Sequence, residues 1–117
     1  MLIILLLHYI IRKSRENIKK KMDAQEINKI LTNAIEIYGK DDQIWMAIEE
    51  MSELSNALAK YRRDRATRED VCEEIADVAI MMIQLSKIFG LDDISNYLES
   101  KLDRLDKRLA KYRNNED

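Results

Sequence analysis

The chain holds no proline and only two glycines, Gly39 and Gly90, in 117 residues. Sheets need turn punctuation at short intervals, and this sequence offers almost none. The sequence is rich in Leu, Ile, Met, Ala, Lys and Glu, most of them good helix formers. The fold class expected is therefore all-α, with long helices and short connections, on the scale of one domain. Apolar residues at three-and-four spacing predict four helices. The first covers about 23–38, with Ile27, Ile30, Leu31, Ala34, Ile35 and Tyr38 on one face and Gly39 as its stop. The second covers about 43–63, with Asp41 or Asp42 as its cap. A polar loop, 64–66, leads to Thr67, which is expected to cap the third, with Glu69 and Asp70 in its first turn. That helix runs to Phe89 and stops at Gly90, and Asp92 or Asp93 opens the fourth, to about Arg113. The organisation expected is an N-terminal extension at 1–21, a helical domain at 22–113 and a polar tail at 114–117.

The extension opens with an apolar run, Met1 to Ile11, followed by the basic stretch Arg12 to Lys21. Eleven residues fall short of the roughly 20 that span a bilayer as a helix. A secretory leader would carry a basic start and a small-residue cleavage site, and neither is seen. Membrane association is not expected. The run is expected to pack on the bundle or on a second copy, although a start of translation at Met22 would make it an upstream extension.

A formal net charge of −2 gives no field suited to nucleic acid. The single cysteine, Cys72, allows no intrachain disulfide and suits a reducing, cytoplasmic setting. Its apolar surroundings predict a buried structural thiol. The one histidine, His8, lies far from the acids, which excludes the usual zinc sites and histidine-based triads.

Chemistry enters with a pattern that occurs twice. The second helix carries Glu49-Glu50-Met51-Ser52-Glu53 and the third Glu73-Glu74-Ile75-Ala76-Asp77. A three-residue spacing puts Glu50 with Glu53, and Glu74 with Asp77, on adjacent turns of one helix face. On a wheel at about 100° per residue, Glu50 falls inside the apolar arc of Ala47, Met51, Leu54, Ala57, Leu58 and Tyr61. Glu74 likewise falls within the arc of Val71, Ile75, Val78, Met81, Met82 and Leu85, while Glu53 and Asp77 lie at the edges. Glu49 and Glu73 sit on polar sides, where solvation suffices. Core-facing carboxylates are costly unless a cation or a hydrogen bond meets them. If the two helices pack antiparallel, the four acids converge. Like charges about 4 Å apart repel by roughly 4 kcal/mol at an effective dielectric near 20. Oxygen-only ligation points to Mg²⁺, or to Mn²⁺, rather than to zinc or copper. A ferritin-like di-iron site would need histidine.

Glu-Glu-x-x-Glu, twenty residues, then Glu-x-x-Asp resembles the signature of the MazG-like all-α nucleoside triphosphate pyrophosphohydrolases. The likeness covers about 41–90, including Gln43, Leu54, Lys60 and Val78. It implies a four-helix bundle-like MazG fold, here with an extra N-terminal segment, in a homodimer or homotetramer. It implies Mg²⁺ held by Glu50, Glu53, Glu74 and Asp77, and hydrolysis of an NTP or dNTP to the monophosphate and pyrophosphate. Glu49 would be the carboxylate that orients or deprotonates water. Phosphate contacts are expected from Lys60, and from Lys101 and Arg104 on a basic stripe that Arg108 continues. That stripe also reads as a solvated face with pairs such as Asp103 and Lys107. Gln43 is placed to read a base edge and Trp45 to stack on it, although a subunit contact is the favoured reading for Trp45. The third helix, apolar almost all round, is more than one small bundle covers, which favours self-association. Two other readings remain: a non-catalytic helical interaction protein, and a phosphoribosyl-ATP pyrophosphohydrolase with the same metal site.

Overall fold

The structure, a computed structural model, describes residues 22–115. The expectations for the extension, and His8 with it, lie outside the described residues. Among the described residues every regular element is helical: α1 (Ala24–Tyr38), α2 (Lys40–Arg62), α3 (Arg68–Phe89) and α4 (Leu91–Asn115).

Their ends follow from local chemistry. Asp23 caps α1, accepting the Glu26 N–H at 2.8 Å. Gly39, at φ 86°, closes α1 by donating to the Ile35 carbonyl at 2.9 Å and also stands as the cap residue of α2. Neither Asp41 nor Asp42 is the cap. Both lie in the first turn of α2, where their charge still favours the positive end of the helix dipole. Gly90, at φ 111°, joins α3 to α4 in the same manner, so α4 starts at Leu91 with Asp92 and Asp93 in its first turn. One left-handed-side glycine thus ends one helix and begins the next, with no linker between.

The α2–α3 turn is built differently. Asp64 takes a positive φ of 56°. Its N–H donates to the Tyr61 carbonyl at 3.1 Å, and the Arg65 N–H donates to the Lys60 carbonyl at 2.8 Å. This is a Schellman closure with aspartate in the position glycine usually takes. Two residues on, Thr67 opens α3 with a full capping box. Its hydroxyl accepts the Asp70 N–H at 3.1 Å, and its own N–H donates to the Asp70 carboxylate at 2.8 Å.

The turn folds α3 back along α2, and these two make the closest helix pair. Gln43 meets Gln84 near one end, Glu50 meets Glu74 and Asp77 midway, and Lys60 faces Asp70 near the turn. Numbers that rise on one helix as they fall on the other define an antiparallel pair. The core lies at the end away from the turn, where α1 crosses: Leu31, Ala47, Met81 and Ile83 are buried, and so are Gln43, Gln84 and Ser86. The Lys87 ammonium ties α3 to α1 by donating to the side chains of Asn28 and Thr32.

Burial corrects several expectations. Met51, Leu58, Tyr61 and Ile75 lie on the expected arcs but are exposed. A wheel shows which residues share a face and not whether anything covers it. Cys72 is exposed as well. Along α4 every residue from 99 to 114 is exposed, including Leu102, Leu105 and Leu109.

The capping box leads to a stability test. Thr67→Ala removes the hydroxyl half of the box and leaves the backbone N–H at 67 to donate to Asp70, and we expect a loss of about 1 kcal/mol in urea unfolding. Thr67→Ser, which keeps the hydroxyl, should stay close to the parent.

Candidate metal centre

Position on the helices decides which acids meet. Glu50 lies midway along α2, and Glu74 and Asp77 lie one turn apart on α3. Each is half-buried and offers an oxygen within 4.8 Å of the other two. One oxygen of Glu50 and one of Glu74 (Oε2 in each) is fully buried without a hydrogen-bond partner. Among the described residues no lysine or arginine forms an ion pair with this cluster; the two ion pairs are Arg68–Glu69 and Lys107–Asp103, both exposed. The second of these matches the solvated-face reading of α4.

Electrostatics follows from that arrangement. Burial, then the carboxylates of Asp77, Glu53, Glu74 and Glu49, push the Glu50 carboxyl above its ordinary value. Burial, then Glu53, Asp77 and Glu73, raise Glu74 likewise, with a hydrogen-bonding contact from Glu53 adding to the shift. Asp70 goes the other way. The backbone N–H and the hydroxyl of Thr67 hold its carboxyl low, and nearby Lys60 adds to this.

Of the four expected ligands, the structure therefore groups Glu50, Glu74 and Asp77. Glu53 is exposed and stands beside Glu74 rather than within the group. Glu49 is exposed on the α2 surface, with its charge still felt at Glu50. A cleft of about 290 Å³ opens from this centre toward the α2–α3 turn. Glu53, Asn56 and Lys60 line it from α2, and Glu73 and Glu74 from α3. Arg65, from the turn, and Asp70 complete it. Lys60 thus lines this cleft together with Glu53, whereas Lys101 and Arg104 are exposed on α4 and line no part of it. Trp45 is 65% exposed. Gln43 is only 1% exposed, and its carbonyl accepts the Gln84 amide at 3.1 Å while its own amide donates to the Met46 sulfur. That side chain is taken up in the helix interface. Asn56 and Arg65 were not singled out from the sequence. Asn56 lies three residues after Glu53 and four before Lys60, a helical spacing that was open to reading. Arg65 sits in a turn, where periodicity says nothing.

The donors present suit a hard divalent cation. They are all carboxylates, they converge from two helices, and two of their oxygens are buried without partners. Compared with known proteins, the chain matches no family profile, and no curated protein or solved structure is significantly similar to it.

The raised carboxyls predict a pH effect of definite sign. Above the ordinary value of 4.5 and below the raised folded values, the folded chain holds more protons than the unfolded chain. The contribution of Glu50 and Glu74 to stability therefore falls as pH rises through that window. Asp70 acts oppositely and lower: its contribution is present above 3.8 and is lost as pH falls through its lowered folded value. In metal-free buffer, Glu50→Gln should have a higher Tm than the parent at neutral pH. The gap should close as the pH is taken down to about 4. Calorimetric scans of both proteins across that range check it.

Proposed function

We propose that this chain is a MazG-like nucleoside triphosphate pyrophosphohydrolase that works with Mg²⁺, or Mn²⁺, at Glu50, Glu74 and Asp77. The observation that carries the reading is the pair of buried carboxylate oxygens, without a partner among the described residues, in a cluster to which no described cationic side chain is paired. Such a cluster is costly by itself and is relieved by a bound cation. Mg²⁺ bound there would neutralise phosphate charge and make a water molecule more acidic.

The chain's own residues supply the rest. Glu50, Glu74 and Asp77 hold the cation at the helix interface, and Glu53, one turn along, completes the acidic rim beside Glu74. Glu49 adds negative charge at the exposed side and is the carboxylate assigned to orienting water. Lys60 faces the cleft as a phosphate contact. Trp45 is open to a base or to another subunit. The phosphoribosyl-ATP variant of the reading shares this centre and differs only in the base pocket.

Self-association as a homodimer or homotetramer belongs to the same proposal. Ile48, Met51, Leu58, Ile75 and Ile80 are all more than a third exposed on the two site helices, and Leu102, Leu105 and Leu109 form a further stripe on α4. Large apolar side chains left open in this number favour contact faces. Those faces equally favour the second reading, a non-catalytic helical interaction protein, which leaves the unpartnered carboxylates unexplained.

Glu50→Gln and Glu74→Gln should each abolish pyrophosphate release from nucleoside triphosphates while circular dichroism stays that of the parent. Full turnover by either purified variant would remove the assignment. Chromatography of the products separates the family reading from other hydrolysis. Monophosphate and pyrophosphate are expected, and a diphosphate with orthophosphate contradicts it.

A further inference from the structure

The cations of the cleft above the carboxylates are confined to one end. Glu53 and Glu74 mark the end at the metal centre, whereas both cleft cations, Lys60 and Arg65, stand toward the turn, where Asp70 faces Lys60. Neither cation is within ion-pair distance of a cleft carboxylate. Asp70, the nearest candidate for Lys60, already accepts the Thr67 N–H and is committed to the capping box. Two cations beside four acids, left unpaired, form a different pattern from a solvated face, where i to i+4 partners join as Asp103 and Lys107 do.

The backbone makes their position definite. Helical Cα–Cβ bonds tilt toward the N-terminus, so Lys60 is inclined back along α2 toward Glu53, seven residues or about 10 Å of axis away. Arg65 is the residue whose N–H closes the Schellman turn on the Lys60 carbonyl, which fixes its backbone beside the helix end. Its guanidinium presents donors in a planar fork suited to phosphate oxygens, and Asn56 adds a neutral amide between the acids and the cations.

We infer that Lys60 and Arg65 form an anion subsite for the pyrophosphate end of a metal-bound nucleoside triphosphate, with Arg65 the residue that distinguishes a triphosphate from a monophosphate. The inference rests on the metal-centre reading, since an anion enters a cleft with four carboxylates only beside a divalent cation. The β and γ phosphates carry most of the charge of the chain, so they go to the end where the cations are. The nucleoside and α phosphate gain nothing from Arg65. Sorting by phosphate number then lies in the turn and not in the base pocket.

The test uses the full chain and titration calorimetry with inorganic pyrophosphate in Mg²⁺, set beside a nucleoside monophosphate. Arg65→Ala should weaken pyrophosphate binding by about tenfold or more and leave the monophosphate within about twofold, with Lys60→Ala similar and Arg65→Lys intermediate. The Arg65 side chain is exposed and makes no hydrogen bond among the described residues, so the fold is expected to survive its removal. Mn²⁺ binding, followed by electron paramagnetic resonance in parent and variant, reads the carboxylates separately and should be the same in both. Absence of Mn²⁺ binding by the parent sinks the metal centre. Pyrophosphate binding that ignores Arg65, or that falls in step with the monophosphate, sinks the subsite whichever way the Mn²⁺ titration goes.

Discussion

Carboxylates of like charge brought together at a helix interface are the constraint around which this molecule is arranged. Glu50, Glu74 and Asp77 gather there only because α2 and α3 are antiparallel and held in one register. The turn sets that register from one end. The closure on Lys60 and Tyr61 ends α2, and the Thr67–Asp70 box begins α3 after five connecting residues. A different count in this turn would rotate α3 by about 100° per residue and carry Glu74 off the interface. Sequence in the turn and chemistry midway along the helices are thus linked by geometry.

Much of this was legible beforehand, and the reasons differ by residue. Helix extents follow from periodicity and from glycines that take backbone angles other residues avoid, so α1 to α4 lie close to their expected spans. The Thr67 cap was readable because its partners are local. Glu50 and Glu74 were readable because a carboxylate inside an apolar arc contradicts its surroundings. The wheel had no access to what lies opposite each arc. Met51 and Ile75 share their faces with buried residues and remain open, and Cys72, in an apolar run, reaches the surface. Gln43 shows the reverse error. A polar residue near the start of a helix suggested a ligand, but its partner, Gln84, is 41 positions away and no local pattern announces it. Glu53 falls between: its spacing was right, and its greater exposure reflects its place at the edge of the arc.

The balance of the fold is unusual for its size. The buried apolar residues are few and sit at the end where α1 crosses, while the α2–α3 seam toward the turn is wet and acidic. From residue 99 onward α4 lies outside this core. On the proposed homodimer or homotetramer, its leucine stripe and the open apolar residues of the site helices would be the surface that a second copy covers, and Lys101 and Arg104, remote from the cleft within one chain, would take their surroundings from the neighbour.

The buried amides belong to the same logic. Gln84 donates to Gln43 from almost complete burial, in a position where a leucine pair would bury more apolar surface. Apolar side chains tolerate sliding, because one methyl is replaced by another. An amide pair does not. A shift of α3 along α2 by one turn, about 5.4 Å, separates the two side chains and leaves buried donors and acceptors unmet, at roughly 1–3 kcal/mol for each group. The same shift separates Glu50 from Glu74 and Asp77, which relieves repulsion in the metal-free chain. Electrostatics alone therefore pushes these helices out of register, and the amide pair at one end, with the capped turn at the other, opposes it. A cluster of mutually repelling carboxylates needs that opposition from outside the cluster, and in this chain it comes from the two ends of the helix pair that carries it.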